Sequence, residues 1–503
     1  MNEAYCFFEP SGQYIYCPED SKTYNELDRT FYESIKGTSK IMDYTAQLTE
    51  YLQANLSTFT EDLIDWLKIP SISTLPEHKQ DVHHAAQWIQ SKLGETGFDK
   101  PELIETDGHP LVYAHWLVDP AQPTLLIYGH YDVQPADPLE LWDNPPFEPV
   151  IKDGNLYARG ASDDKGQIML VMAALKAWVA TAGKPPINIK ILFEGEEEAG
   201  GASIAAYVVD NKEKLSADGV LICDTHMPSA SQPSLITGLR GILYTELKVT
   251  GAKTDLHSGS YGGVAPNPIH ALCLMISQLK TEDGTIQIPE LQDRMPTPTP
   301  AEKIFFTEDP LDIESALCDE MGISELVGES NFPPLERLGL RPTFEVHGIA
   351  GGFTGAGAKT VIPAEATAKI SLRVPPTFDT DEVFSWLSNS IDRVTPKGYQ
   401  VQLTNIHAGS GIEVNQNNEF FAKAASSLET IYGKSPVFLK EGGSIPIAAL
   451  FDQELHIPVV LMGFALPDDN IHAPNEKFNL QQFSLGMQTV AHYLGKLKIT
   501  SNN

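Results

Sequence analysis

Basic residues are scarce in this 503-residue chain: 35 Lys and Arg stand against 67 Asp and Glu, for a formal net charge of −32. A surface that acidic repels nucleic acid and anionic lipid, so neither is expected as a partner. Cysteine is thin as well. Cys6, Cys17, Cys223, Cys273 and Cys318 form no CxxC pair and no dense framework, the pattern of thiols kept free in a reducing compartment. No apolar run approaches the ~20 residues that a membrane span needs. The opening MNEAYCFFEPSGQY has no basic segment leading into an apolar one, so no secretory signal is read there. A cytoplasmic protein without membrane association is expected. Also missing is a GxxxxGK[ST] phosphate cradle, and the turn Asp163–Gly166 lacks the glycines such a cradle requires, which sets nucleotide binding aside.

What is present is ordinary for a globular protein, with 42% hydrophobic and 20% charged residues. The length exceeds one compact core and implies two or three domains. Residues 1–41 are aromatic and polar without periodicity and read as an N-terminal extension outside the native fold; a helical pattern opens at Met42. From there to residue 239 helical segments alternate with short apolar strands, among them TLLIYGHYD, INIKILFE and DGVLICD. The same alternation resumes over 410–503 with SPVFLK, PVVLMGF and a final helix from about 480. Apolar strands alternating with helices imply an α/β fold, a mostly parallel sheet covered on both faces. Residues 240–409 follow a βαββαβ order, the ferredoxin-like arrangement, interrupted by a Pro-rich acidic insert at about 281–342. A smaller domain is therefore expected inside the larger one.

In open α/β sheets, ligands bind beyond the carboxyl ends of the strands, and polar residues sit there. His130 and Asp132 end the first strand as GHYD; a neutral imidazole can bind a metal while a carboxylate fixes its tautomer. Asp163 stands in the turn LYARGASDDKG ahead of a helix, where the plain alternative is a helix cap. Glu196, Glu197 and Glu198 follow INIKILFEG, flanked by Gly195, Gly200 and Gly201. Adjacent carboxylates repel unless solvated or bound to cations, and glycine permits close backbone approach. Asp224 ends GVLICD and His472 follows PVVLMGF. Each residue alone has a mundane explanation, but four strand ends of one expected sheet plus Asp163 carry a set of N and O donors that zinc accepts. Two ions bridged by a carboxylate would clamp a hydrolytic transition state, and a free carboxylate would serve as general base.

The segments GHYDVQPA, LYARGASDDKG, FEGEEEAGG, ICDTHMPS, DLHSGSYGG, AKTVIPAEA, LKEGGSIP and NIHAPNEKF together resemble the metallopeptidase family of carnosinase-type dipeptidases, glutamate carboxypeptidase, acetylornithine deacetylase and succinyl-diaminopimelate desuccinylase. The resemblance runs from about 60 to 500, in order. It implies His130 and Asp224 on one metal, Glu198 and His472 on the other, and Asp163 bridging. Asp132 would orient His130, and Glu197 would act as general base and acid. His257 in DLHSG resembles an oxyanion-hole histidine that reaches across a dimer. Arg373, Thr360, Ser444 and Gly443 resemble groups around the substrate carboxylate. The implied activity is hydrolysis of dipeptides or short peptides with a free C-terminal carboxylate, by a homodimer holding two divalent ions, zinc first and manganese or cobalt next. An N-acyl-amino-acid amidohydrolase is the second reading, and a non-catalytic peptide-binding relative the third. The departures from the family pattern are Tyr131 within GHYD and the additional acid Glu196; His226 is read as a polar neighbour of Asp224 rather than a ligand.

Overall fold

The computed structural model describes residues 44–309 and 311–499. The extension 1–41, the Met42 start, Cys6 and Cys17 lie outside the described residues. Residues 44–54 are helical, and helix Leu56–Leu67 follows after one residue. Phe59, Leu63, Trp66 and Leu67 recur on one stripe of that second helix and are buried there, as helical periodicity requires. The Trp66 ring is pinned by its indole N–H to the Ala85 carbonyl at 3.2 Å.

The large sheet is mixed. Its middle is four adjacent parallel strands in the order Asn188–Glu194, Thr124–His130, Gly219–Ile222, Val459–Leu461. Antiparallel strands flank this middle: Leu111–Trp116 and Glu102–Ile104 on one side, Ser234–Leu239 on the other. Strands Ile412–Glu413 and Val437–Glu441 both pair with Ser234–Leu239, the first antiparallel and the second parallel. All six residues from Leu125 to His130 are buried, so both faces of the sheet are covered there, which is why a run such as Leu125–Tyr128 is apolar throughout.

Leu239 ends its strand in the large sheet and Gly241 opens the next in a separate, four-stranded antiparallel sheet, with Arg240 alone between them. The small sheet runs Thr343–Gly351, Glu365–Val374, Gly241–Thr250, Gln400–Gly409, an order of second, third, first and fourth strand. With helices Pro268–Leu279 and Thr380–Val394 this is the ferredoxin-like topology. Burial alternates strictly along Gly241–Thr250: Leu243, Leu247 and Val249 meet Leu272, Met275 and Val383 in a core of their own, and the other face stays half-open.

The Pro-rich insert is helical rather than irregular. Helices Pro289–Asp293, Pro300–Glu308 and Pro334–Gly339 each begin on a proline, where its fixed φ suits the first turn and no N–H is lost from the ladder. Phe306, Leu335 and Leu340 give the insert a small core. Among the described residues no helix is long and apolar enough to cross a membrane.

Candidate active site

The four parallel strands point their carboxyl ends to one rim. His130 is the last residue of its strand, Glu197–Ala199 forms a short turn beyond Glu194, and Asp224 lies two residues past Ile222. The loop after Leu461 carries His472, and Asp163 sits before helix Lys165–Ala182. These side chains converge. Nε2 of His130 is 2.9 Å from Oδ1 of Asp163 and 3.6 Å from Oδ2 of Asp224. Nε2 of His472 is 2.9 Å from Oδ2 of Asp163 and 3.1 Å from Oε1 of Glu198. Two three-residue groups result, His130–Asp163–Asp224 and Asp163–Glu198–His472, and Asp163 offers one oxygen to each.

The residues present fit metal ions. Nε2 of His130 and Oε1 of Glu198 are closed to solvent, yet neither has a partner in hydrogen-bonding geometry, a costly state for buried polar atoms. Donors each ~2.0–2.2 Å from a tetrahedral ion stand ~3.3–3.6 Å apart, close to the separations seen. His472 also holds a left-handed φ of 62°, uncommon for a residue with a side chain and frequent where a loop is fixed for function.

Hydrogen bonds aim these groups. The Asp132 carboxylate accepts the backbone N–H groups of Glu197 at 3.2 Å and Glu198 at 3.1 Å. Nδ1 of His130 hydrogen-bonds the main-chain oxygen of Asp132 at 3.1 Å, and the Asp132 carboxylate lies 3.5 Å away. Asp132 thus orients the imidazole chiefly through its backbone, while its side chain carries the glutamate turn. Gln134 donates to Oε2 of Glu198 at 2.7 Å. Asp163 is not a helix cap: Asp164 occupies that position without a capping side-chain bond, and its Oδ2 instead accepts the His130 N–H at 3.2 Å. Gly195 is needed because a Cβ there would meet the Tyr131 ring at 2.6–2.7 Å; that glycine and the departure at Tyr131 fit each other.

The charge balance is lopsided. Burial pushes the Glu197 carboxyl well up, and Glu198, Asp224 and Asp163 add to the shift against the opposing His130. Burial likewise lifts Asp224 to about 7. For His472, burial opposes the charged ring, but Asp163 and Glu198 outweigh it and raise it to about 11. Asp163 alone moves down: the two imidazoles overcome its burial. Four carboxylates, one buried and three half-buried, facing two imidazoles are an excess of negative charge that divalent cations would neutralise.

Glu197, Glu198 and His472 open on a cleft of ≈710 Å³ whose lining includes Arg373, His407 and Ser444. Nη1 of Arg373 donates to the Ser444 hydroxyl at 2.7 Å, and that hydroxyl donates to the Arg240 carbonyl. His257 and Thr360 do not line the cleft. They are exposed on a two-stranded ribbon where Leu256–His257 pairs with Val361–Ile362 and the Ser258 N–H meets the Thr360 carbonyl at 3.1 Å. Gly443 is exposed and outside the lining too. His226 stands with its Nδ1 3.8 Å from Glu441. The sequence reading did not single out Gln134, His407 or Glu476. Glu476, fully buried, accepts the Arg159 guanidinium at 2.8 Å and the N–H groups of Gly160, Ser162 and Asp163 at 2.9–3.1 Å. A glutamate four residues after His472 was visible in the sequence, but its burial was not.

An α/β chain with paired His and carboxylate groups sharing one aspartate at the rim of a parallel sheet defines a hydrolase of the metallopeptidase class. Residues 126–496 match the model of Peptidase family M20/M25/M40, and the chain belongs to that family, in its dipeptidase branch. It is 31% identical over 470 residues to the Cys-Gly metallodipeptidase dug1 of Schizosaccharomyces pombe, across 90% of this chain and 98% of that one. The solved structure of the dipeptidase Dug1p from Saccharomyces cerevisiae superposes with a TM-score of 0.80 at 29% identity, over 91% of this chain and 99% of that one. Human carnosine dipeptidase 1 superposes with a TM-score of 0.81 at 26% identity, over 90% and 98%.

Proposed function

We propose that this protein hydrolyses the peptide bond of dipeptides that carry a free C-terminal carboxylate. The observation that carries the reading is one cleft whose lining joins Glu198 and His472, which share Asp163 with the second ligand group, to Arg373 beside Ser444. His130, Asp163 and Asp224 would hold one ion and Asp163, Glu198 and His472 the other; zinc suits this N and O set best, with manganese and cobalt also accepted. Bound there, such ions supply carbonyl polarisation and a more acidic water.

The chain's own groups do the rest. Glu197 takes a proton from the attacking water and returns it to the leaving amine; its raised affinity for protons suits both directions. Arg373 pairs with the substrate carboxylate through its guanidinium, with Ser444 holding that fork in place. His257 and Thr360 sit together on an exposed ribbon, which supports a homodimer in which His257 of a second copy donates to the developing oxyanion. Closure of the small sheet on the large one would exclude water. The acidic composition and, among the described residues, the free Cys223, Cys273 and Cys318 support a cytoplasmic setting.

The test is metal analysis coupled to a dipeptide assay before and after chelation, beside a panel of acetylated and succinylated amino acids. About two ions per chain and dipeptide hydrolysis lost with chelation and regained with metal support the reading. Faster turnover of the acylated amino acids would replace it with an amidohydrolase, and hydrolysis indifferent to chelation would sink the metal mechanism.

A further inference from the structure

We propose that the cleft selects dipeptides whose carboxylate-bearing residue has a large apolar side chain. The proposal rests on the peptidase reading and adds the substrate's second side chain to it. Beside the Arg373–Ser444 pair three elements give the cleft an aliphatic wall, with His407 of strand Gln400–Gly409 as a polar, non-acidic neighbour. Ile242 lies directly opposite Arg373 across the small sheet, so the two side chains leave the same face side by side. Pro446, Ala449 and Leu450 line the cleft from helix Pro446–Leu455, at the i, i+3 and i+4 spacing of one helical face. Ile204 and Ala205 complete the wall from helix Ala202–Asp210, which packs against that helix.

The nearby polar groups do not offer a competing reading. Gln453 lies at the exposed end. Glu194 borders the space, but its Oε1 accepts the Tyr128 hydroxyl at 2.6 Å and its Oε2 is closed to solvent. Oε2 sits behind Gly201, where a Cβ would come within 3.5 Å of it. Apart from Glu197 and Glu198 of the metal site, a cationic tail entering the cleft therefore meets hydrocarbon from these three elements and no open carboxylate. A C-terminal glycine leaves these walls in water, whereas a leucine or phenylalanine side chain covers them, and burial of that size is worth about tenfold or more in kcat/KM.

The full-length, metal-loaded enzyme would be assayed with alanyl-glycine, alanyl-leucine, alanyl-phenylalanine and alanyl-lysine. The expected result is kcat/KM at least about tenfold higher for leucine or phenylalanine than for glycine, with lysine below leucine. Ala205→Phe fills the gap between the two helices and should reduce the leucine-to-glycine ratio about tenfold. That ratio is read within one preparation, so any loss of folded enzyme cancels. Glycine or lysine as the best substrate, or a ratio unmoved by Ala205→Phe, overturns the proposal. No hydrolysis of any of the four overturns the peptidase reading instead.

Discussion

Glu197 and Asp132 are neighbours with separate tasks. The Asp132 carboxylate fixes the Glu197 and Glu198 backbone, while among the described residues no side chain donates a hydrogen bond to the Glu197 carboxylate. A carboxylate so placed is free to take the proton-transfer role proposed for it. Glu197→Gln is expected to lower kcat by about 10²–10⁴-fold with metal content, read by atomic emission, unchanged; a variant that keeps its rate removes Glu197 from the chemistry. Asp132→Ala leaves two part-buried N–H groups without their acceptor and loosens the turn that carries Glu198. Metal affinity measured by chelator competition should fall about 10–100-fold, and an unchanged affinity would show that the backbone contact to Nδ1 suffices.

At the scale of elements, the site depends on how loops are tied together. Glu476, on the loop that also carries His472, accepts four donors from residues 159–163 and so ties that loop to the one bearing Asp163. Arg159 is 1% exposed and Glu476 is 0% exposed. Removing one partner strands the other charge in the interior, so Glu476→Ala should cost about 3–5 kcal/mol in denaturant unfolding. A loss under ~1 kcal/mol would mean that the two loops are held by other contacts.

Across the whole molecule, the buried acids make stability depend on pH and metal together. Burial, as the largest cause, raises Asp224 to about 7, Glu194 to about 8 and Glu476 to about 7, whereas carboxyls in an unfolded chain titrate near ~4. His472, raised to about 11 by Asp163 and Glu198 against its burial, contributes with the same sign: its stabilisation is full below ~6.5 and fades as pH climbs towards its folded value. The folded, metal-free chain thus binds more protons than the unfolded one between about pH 4 and 8, and its stability falls as pH rises through that window. Asp163, shifted down, acts in the opposite sense only below that window. His492, lowered by burial to about 4, and Lys165, lowered by burial to about 7, oppose the trend within the window and at its upper end, and the raised groups outnumber them. Metal binds the folded state and restores stability most at the alkaline end. Chelated protein should therefore melt at a lower temperature at pH 8 than at pH 5, with a wider gap to the loaded enzyme at pH 8; a chelated Tm that rises with pH contradicts this. For the proposed dimer, mixing inactive His257→Ala with inactive Glu197→Gln should recover activity, because a mixed pair contains one site with both groups. No recovery from co-refolded chains would place His257 outside the reaction.

Much of this architecture was legible in the chain itself. The apolar runs 125–128 and 191–193 read as strands covered on both faces, and 241–250 as a strand of the smaller sheet. A metal-type donor at or beyond the end of each parallel strand announced the rim where chemistry would lie. Tertiary structure alone decided which of these strands are neighbours, since equally buried strands carry no mark of their order. That order sets His130 and His472 on either side of Asp163. It also turned Glu476 from a loop acid into the buried tie between loops, and left His257 facing outward from its own cleft. The side-chain wall built from Ile204, Ile242 and Leu450 belongs to three distant stretches of sequence. Periodicity reports whether a residue is inside, but only packing reports what it meets there.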